Sequence, residues 1–437
     1  MRAAGPSEPG PAAGFVAAMQ TAGVRSRPSP FLPKRFATQI AAWSEAGLDA
    51  AALIFFPLLV LLPRGTAALI SAAGLCACGL VLVAGRIRLT PVLAVAISLL
   101  GSLLVWGAVS ALWSVDPLRS LAVSLRLAGL SFVGLALASA AGLVVKTRRL
   151  GLLLITGMAL GVATVAIEVA SGGWLNSLLS DRAFWPTQLN QASISFALLV
   201  LPASATLLCL GQPIMATLLA AAVAATVYGL VGTAAKAVLV FGLVMGLLLY
   251  RARPMLARVA LAVSVLAIIT APLTFARLER LPGLGETADS FKISAGHRLL
   301  IWSFAGDRIA ERPLTGWGLD SSRAIPGGGE PIRPGETWMP LHPHNAALQV
   351  WLELGAPGAA LFALMVAIAW GVVARVEWPP LFAAAAGAGL AIALLGCFTT
   401  YGIWQEWWLA TLAFSLFLVL VMGRLSACAP AHRRITT

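Results

Sequence analysis

Residues 91–112 read PVLAVAISLLGSLLVWGAVSAL, a run without one charged side chain. The hydrocarbon core of a bilayer is spanned by about 20 mostly apolar residues in a helix, and this run has that length. It is too long and unbroken for a barrel strand. No backbone donor can go unpaired in lipid, so a transmembrane helix is the expected form.

Eleven further stretches share this character: roughly 47–62, 66–84, 119–142, 150–170, 190–210, 213–231, 235–250, 256–275, 345–373, 379–400 and 404–423. The first of these is short and is flanked by Asp49 and Pro63. Composition agrees: apolar residues make up 59% of the chain and charged residues 11%, against roughly 25% charged in a soluble domain. The expected fold is an all-α polytopic membrane protein of about 12 transmembrane helices with one large loop. Residues 1–40 are expected to form a disordered cytoplasmic tail, 41–275 the first nine helices, 276–344 the loop, 345–423 the last three helices, and 424–437 a cytoplasmic tail. The first 36 residues lack the apolar core of a signal peptide.

The net charge is +13, which in a soluble protein would suggest nucleic acid. Here the basic residues sit in short breaks between apolar runs, beside a bilayer surface, and no basic stripe lies elsewhere. Cys76, Cys78, Cys209 and Cys397 lie inside apolar runs and Cys428 near the end, so they read as small apolar residues with no disulfide framework and no metal.

Basic residues in short loops mark the cytoplasmic side. With the N-terminus inside, that side receives 17 of the 30 Lys and Arg, among them Arg86, Arg88, Lys146, Arg148, Arg149, Arg251, Arg253 and Arg375. The short outer loops and nearby helix ends hold Arg64, Arg119, Arg126, Arg182 and Lys236. The remaining eight basic residues are in loop 276–344, and a loop of that length counts little in the rule. The bias predicts both termini in the cytoplasm and the loop outside, in the periplasm of a bacterial inner membrane. Long loops are usually functional. This one holds His297, His342 and His344, with eight acidic residues beside its eight basic ones. Chemistry is therefore expected on the outer side. Nucleotide sugars are scarce there, so an activated donor would be lipid-borne.

The loop and the span after it carry an ordered pattern. Gly296-His297-Arg298 precedes Trp302, then Arg312-Pro313-Leu314-Thr315-Gly316-Trp317-Gly318-Leu319. His342-Pro343-His344-Asn345-Ala346-Ala347-Leu348-Gln349 and Glu353-Leu354-Gly355-Ala356-Pro357-Gly358 follow. This resembles the O-antigen ligase and polymerase family. Trp113-Ser114-Val115-Asp116-Pro117 and Gly232-Thr233-Ala234-Ala235-Lys236 are similar to two further pieces of it, except that Lys236 stands where the family usually has Arg. Lys is a point charge for a phosphate and lacks the bidentate fork. The resemblance implies a metal-independent enzyme of the C-type glycosyltransferase architecture, with no cofactor. Its donor would be a glycan on a polyprenyl diphosphate. Its acceptor would be a hydroxyl on lipid A core, on a growing polysaccharide or sometimes on a protein. Ligase and polymerase share these motifs.

No Asp-x-Asp is present, so the leaving diphosphate's charge must be met by cations. Arg298 is the first candidate, through paired charge-assisted bonds. Its bland alternative is a loop salt bridge to Asp289 or Asp307. Lys236 and Arg182 are further diphosphate candidates, although Lys236 also suits snorkelling to headgroups. His344 is the candidate catalytic residue toward the acceptor hydroxyl; otherwise it is a helix-start histidine bound to backbone. His342, Asn345 and Trp302 are possible substrate contacts. Asn345 equally suits the cap of the tenth span, and tryptophans at span ends suit the interfacial belt. Glu353 falls about 180° around a helix from His344 and reads as a helix–helix contact. Arg126, inside the fourth span, needs a partner, with Glu168 a candidate. A flippase for the lipid-linked glycan is the rival from another class. It predicts charges near the midplane rather than at one face.

Overall fold

The computed structural model describes residues 32–85, 91–179, 183–230 and 232–428. The expected tail through residue 31, Arg86, Arg88, Arg182, Arg433 and Arg434 lie outside the described residues. The helices are α1 (Lys34–Leu61), α2 (Gly65–Ala84), α3 (Pro91–Val109), α4 (Pro117–Ala140), α5 (Thr147–Ser171), α6 (Trp174–Leu179), α7 (Asn190–Cys209), α8 (Pro213–Gly229) and α9 (Thr233–Thr270). The long loop adds α10 (Leu284–Phe291), α11 (Ile293–Glu311) and the strands β1 (Pro331–Arg333) and β2 (Glu336–Thr337). The chain then completes α12 (Ala346–Arg375), α13 (Pro380–Thr399) and α14 (Glu406–Ala427).

Ten helices among the described residues are long and apolar enough to cross a membrane, and the chain is an all-α polytopic membrane protein. Large apolar side chains such as Leu75, Val105, Leu125, Phe132, Leu218 and Val263 face outward. That is unfavourable in water and natural against lipid. In the interior α1, α7 and α14 meet through aromatic rings, Phe56 on Phe196 at 4.5 Å and Phe55 on Phe414 at 5.2 Å.

Two boundaries differ from the sequence expectation. First, α1 begins at Lys34, so residues 34–40 are helix rather than tail: Pro33 opens the helix and the apolar run alone hid its polar first turns. Second, α14 continues to Ala427, past the expected end at 423. The segments expected at 235–250 and 256–275 are the two halves of α9, which breaks at Ala252 (φ −147°, ψ 51°), two residues before Pro254. A proline ring clashes with the preceding turn, which accounts for the break. The halves run in opposite directions. Leu249 lies against the position of Gly387, beside Val373 near the far end of α12, whereas the Ile268 carbonyl accepts from Trp351 Nε1 near its start.

A break in α12 docks the loop. Gly355 has φ 64° and ψ −163°, a conformation essentially reserved for glycine. The break frees three carbonyls, and each finds a donor. Leu352 O accepts from Trp317 N and Glu353 O from Gly318 N, both at 2.9 Å, and Leu354 O accepts from Trp106 Nε1 at 2.8 Å. Ala356 N donates to Pro313 O at 2.9 Å. Backbones approach so closely that a Cβ on Gly355 would lie 2.3 Å from Leu314 O, and one on Gly316 2.4 Å from the Glu353 carbonyl carbon. The Pro313–Gly318 segment therefore replaces the hydrogen bonds that a straight helix would have made, a requirement at membrane depth.

Glu353 fastens the rest of the loop. Its fully buried carboxylate accepts from Asp320 N at 2.6 Å, Trp404 Nε1 at 2.5 Å, Gln349 Nε2 at 3.1 Å and the Ser322 hydroxyl. The expected helix–helix contact is thus corrected. A carboxylate inside apolar surroundings is tolerated only with its oxygens satisfied, and the donors come from the loop and from the segment before α14. The Trp113–Pro117 motif holds the same loop from the other side. Val115 N donates to Trp317 O at 3.2 Å and Ser120 Oγ to Leu319 O at 2.7 Å.

Two outcomes are expected. Gly355→Ala forces a methyl into the docked backbone and destabilises the purified protein by on the order of 3 kcal/mol. Gly371→Ala in the same helix, where the added methyl meets only the flexible Arg375 end, leaves the thermal midpoint unchanged or raised. Glu353→Gln turns an acceptor-only group into one with two donors facing donors, and costs on the order of 3 kcal/mol, read in the same unfolding assay.

Candidate functional site

The end of α13 organises the site. The last carbonyls of a helix lack intrahelical partners and carry the negative end of its dipole. Two neighbouring ones are taken by two candidate residues. Arg298 Nη1 donates to Thr399 O at 2.6 Å, and His344 Nδ1 lies 2.6 Å from Thr400 O. Arg298 and His344, distant from each other in sequence, thereby stand side by side.

Among the described residues no carboxylate pairs with Arg298. Asp289 is held bidentately by Arg333 at 3.0 and 2.9 Å, and Asp307 faces Arg280 at 3.8 Å. The salt-bridge alternative for Arg298 is therefore excluded. Burial pulls the Arg298 pKa downward, opposed by the adjacent Tyr401 hydroxyl, whose own pKa burial pushes up.

His344 has φ 54°, and Asp320 shares that value. They are the two non-glycine residues of positive φ among those described, and both border this site. Such strain persists only where surroundings over-determine it. For His344 those surroundings are explicit. Trp302 Nε1 donates to Pro343 O at 2.8 Å, the His344 N–H donates to His342 Nδ1 at 3.1 Å, and Asn345 caps α12 by accepting from Ala347 N and Leu348 N at 3.0 and 3.2 Å. Trp302 and Asn345, both candidate substrate contacts, brace the His-Pro-His segment, and Asn345 takes the cap that its position equally suited. His297 is a strap too, its Nε2 2.8 Å from Thr337 O in β2.

The tautomers follow from these partners. A carbonyl facing His344 Nδ1 requires a proton there, so Nε2 carries the lone pair. A backbone N–H facing His342 Nδ1 requires a lone pair there, so the proton is on Nε2. The two rings lie 4.2 Å apart. The His342 pKa is pushed down to about 3 by burial first, then by His344, Arg323 and Arg298. That of His344 falls to about 4, by burial first, with Arg298 and His297 adding to it and the Thr400 bond opposing it.

His342 also faces a cavity of about 390 Å³, lined by Arg64, Arg119, Arg126, Arg323, Asp320 and Glu406 among others. Arg119 grips Asp320 at 2.6 Å and Arg126 pairs with Glu406. The expected partner of Arg126, Glu168, instead caps α6, accepting from Leu175 N and Asn176 N at 2.8 and 3.2 Å; those donors are freed where α6 starts. The sequence marked Arg126 as needing a counter-ion. It gave no sign of Arg323, Gln405 or Glu406, whose roles arise from loop folding. An apolar cavity of about 420 Å³ shares Leu127 and Trp404 with this one.

Lys236 stands one turn into α9, half-buried, and its ammonium has no partner among the described residues. Its helix start is linked to the site indirectly: a Cβ on Gly232 would meet Asn190 Oδ1, and Tyr401 Oη donates to Asn190 O at 3.2 Å. The structure brings Arg298, His342 and His344 together, joins Lys236 only through this chain, and does not describe Arg182.

Residues 215–363 match the profile of a family described as O-antigen ligase. Three proteins of Rickettsia, each carrying the name "Putative polysaccharide ligase", are similar over part of the chain. Identity is 36% over 133 residues in R. conorii, 35% over 137 in R. prowazekii and 33% over 147 in R. typhi. These matches cover 30 to 32% of this chain and 32 to 35% of the relatives, about a third of their length. No solved structure matches. The matched segment holds Arg298, both site histidines and the broken start of α12, so the likeness to the O-antigen ligase family lies in the part of the chain that builds this site.

Proposed function

We propose that the protein is a membrane glycosyltransferase that moves a glycan from a polyprenyl diphosphate to an acceptor hydroxyl. It acts at the periplasmic face of a bacterial inner membrane, with both termini in the cytoplasm. The match of residues 215–363 to the O-antigen ligase profile supports ligase-like glycan transfer. The observation that carries the finer reading is the seating of Arg298 and His344 on the adjacent carbonyls of Thr399 and Thr400.

In this reading the donor diphosphate lies against Arg298, which uses one N–H on Thr399 O and has others to offer. Lys236 and Arg182 supply further positive charge. His344 Nε2 accepts the hydrogen of the acceptor hydroxyl. The acceptor oxygen bonds to the anomeric carbon, the bond from that carbon to the diphosphate breaks, and the diphosphate leaves with the electron pair. The configuration inverts and the proton passes to Nε2. Charge on the diphosphate grows as the bond breaks, so fixed cations stabilise the transition state more than the ground state. A bound diphosphate also offsets the Arg298 charge beside His344, which raises the basicity of that ring when it is needed. A lipid A core hydroxyl is the acceptor favoured here, and a growing glycan chain gives the polymerase variant.

Reconstituted protein with an undecaprenyl diphosphate-linked glycan tests this. Arg298→Ala and His344→Ala are expected to lower transfer by about 10³-fold or more with insertion intact, and Arg298→Lys to restore only part. Full transfer by either alanine variant sinks the assignment. Donor accumulating on the cytoplasmic leaflet of cells lacking the protein would favour the flippase instead. Transfer is expected to persist in EDTA. The acid limb of kcat/KM is expected near pH 4, where His344 titrates, not near the ~6.5 of an exposed imidazole. Both histidines bind fewer protons folded than unfolded below about 6.5, so stability falls as pH drops through that window towards 4.

A further inference from the structure

We propose that the arginine-lined cavity beside His342 is an anion subsite for the acceptor. It takes a carboxylate or phosphate borne on the sugar that is to be extended; the proposal rests on the reading above, with the donor diphosphate at Arg298. Arg298 and His344 are not in the wall of this cavity, whereas His342, in ring contact with His344, is. A group seated there is thus next to the base without occupying the diphosphate position.

Charge supports an anion. Asp320 is engaged by Arg119, and Glu406 by Arg126. Arg323 approaches Asp320 only to 3.7 Å, and Arg64 has no partner among the described residues. Four guanidinium groups therefore face two carboxylates.

Hydrogen-bond counting supports it independently. Gln405 offers one acceptor oxygen, which takes Trp407 Nε1 at 3.1 Å. Its amide nitrogen then faces His342 Nε2 at 3.2 Å, the nitrogen that carries a proton. Whichever way the carboxamide turns, one of the two ring N–H groups is left without an acceptor. An anionic oxygen supplies it. The volume of about 390 Å³ suits a sugar-sized group.

The test uses the full chain in nanodiscs and equilibrium dialysis of glucose 6-phosphate, glucuronate and glucose. The wild type is expected to bind both anionic sugars at least about tenfold tighter than glucose. Arg64→Gln/Arg323→Gln, which touches no short ion pair, is expected to abolish that preference, and Arg64→Lys/Arg323→Lys to keep part of it. In turnover the glutamine pair is expected to raise the acceptor KM about tenfold and leave the donor KM alone. Equal binding of charged and neutral sugars, or a preference that survives the glutamine pair, overturns the proposal. So does displacement of glucose 6-phosphate by undecaprenyl diphosphate, which would give the cavity to the donor. Arg298→Ala separates the two readings: it is expected to lose undecaprenyl diphosphate and keep glucose 6-phosphate. Undecaprenyl diphosphate binding unchanged in that variant would count against the donor assignment alone.

Discussion

The broken start of α12 is the constraint on which the rest depends. A helix interrupted inside a bundle leaves carbonyls that lipid cannot satisfy. Here the carbonyls of Leu352 and Glu353 are met by the backbone of Trp317 and Gly318, and Leu354 by the Trp106 indole. The Glu353 side chain then gathers Asp320, Ser322, Gln349 and Trp404. The glycines and the glutamate of the loop and helix motifs are two halves of one joint. Neither half is stable without the other, because each leaves buried polar groups unpaired.

That joint sets the site. It fixes Asp320 in a left-handed conformation and so aims its carboxylate at Arg119. It also places the chain so that the His342–Asn345 turn reaches the end of α13, where Arg298 and His344 share two adjacent carbonyls. The helix end supplies partial negative charge, so a cation and an imidazole N–H are both favoured there before any substrate arrives. In the proposed reaction, groups pre-set in this way need little reorganisation when charge develops.

The helical runs were legible in the sequence because apolar length alone identifies a span. Their edges were less so: the polar first turns of α1 carry no apolar signal, whereas the gap expected between 250 and 256 coincides with the break at Ala252. Within the site, Arg298 and His344 stood out through the ordered motifs that resemble the ligase and polymerase family, since the loop holds eight basic residues and three histidines. Asn345 was read as either cap or contact, and the cap is what folded. Glu353 was misread because helical spacing relates it to its own helix, while its partners come from the loop and from Trp404.

By itself the sequence determined a membrane-embedded helical protein and a segment that resembles the O-antigen ligase family, since hydropathy and motif order are local properties of the chain. Only the tertiary structure decided which side chains meet: Arg298 with the end of α13, Arg126 with Glu406 rather than Glu168, and His342 with a cavity of arginines. The reason is physical. Long-range pairings are chosen by which buried donors and acceptors remain unsatisfied once the helices have packed, and no spacing along the chain records that remainder.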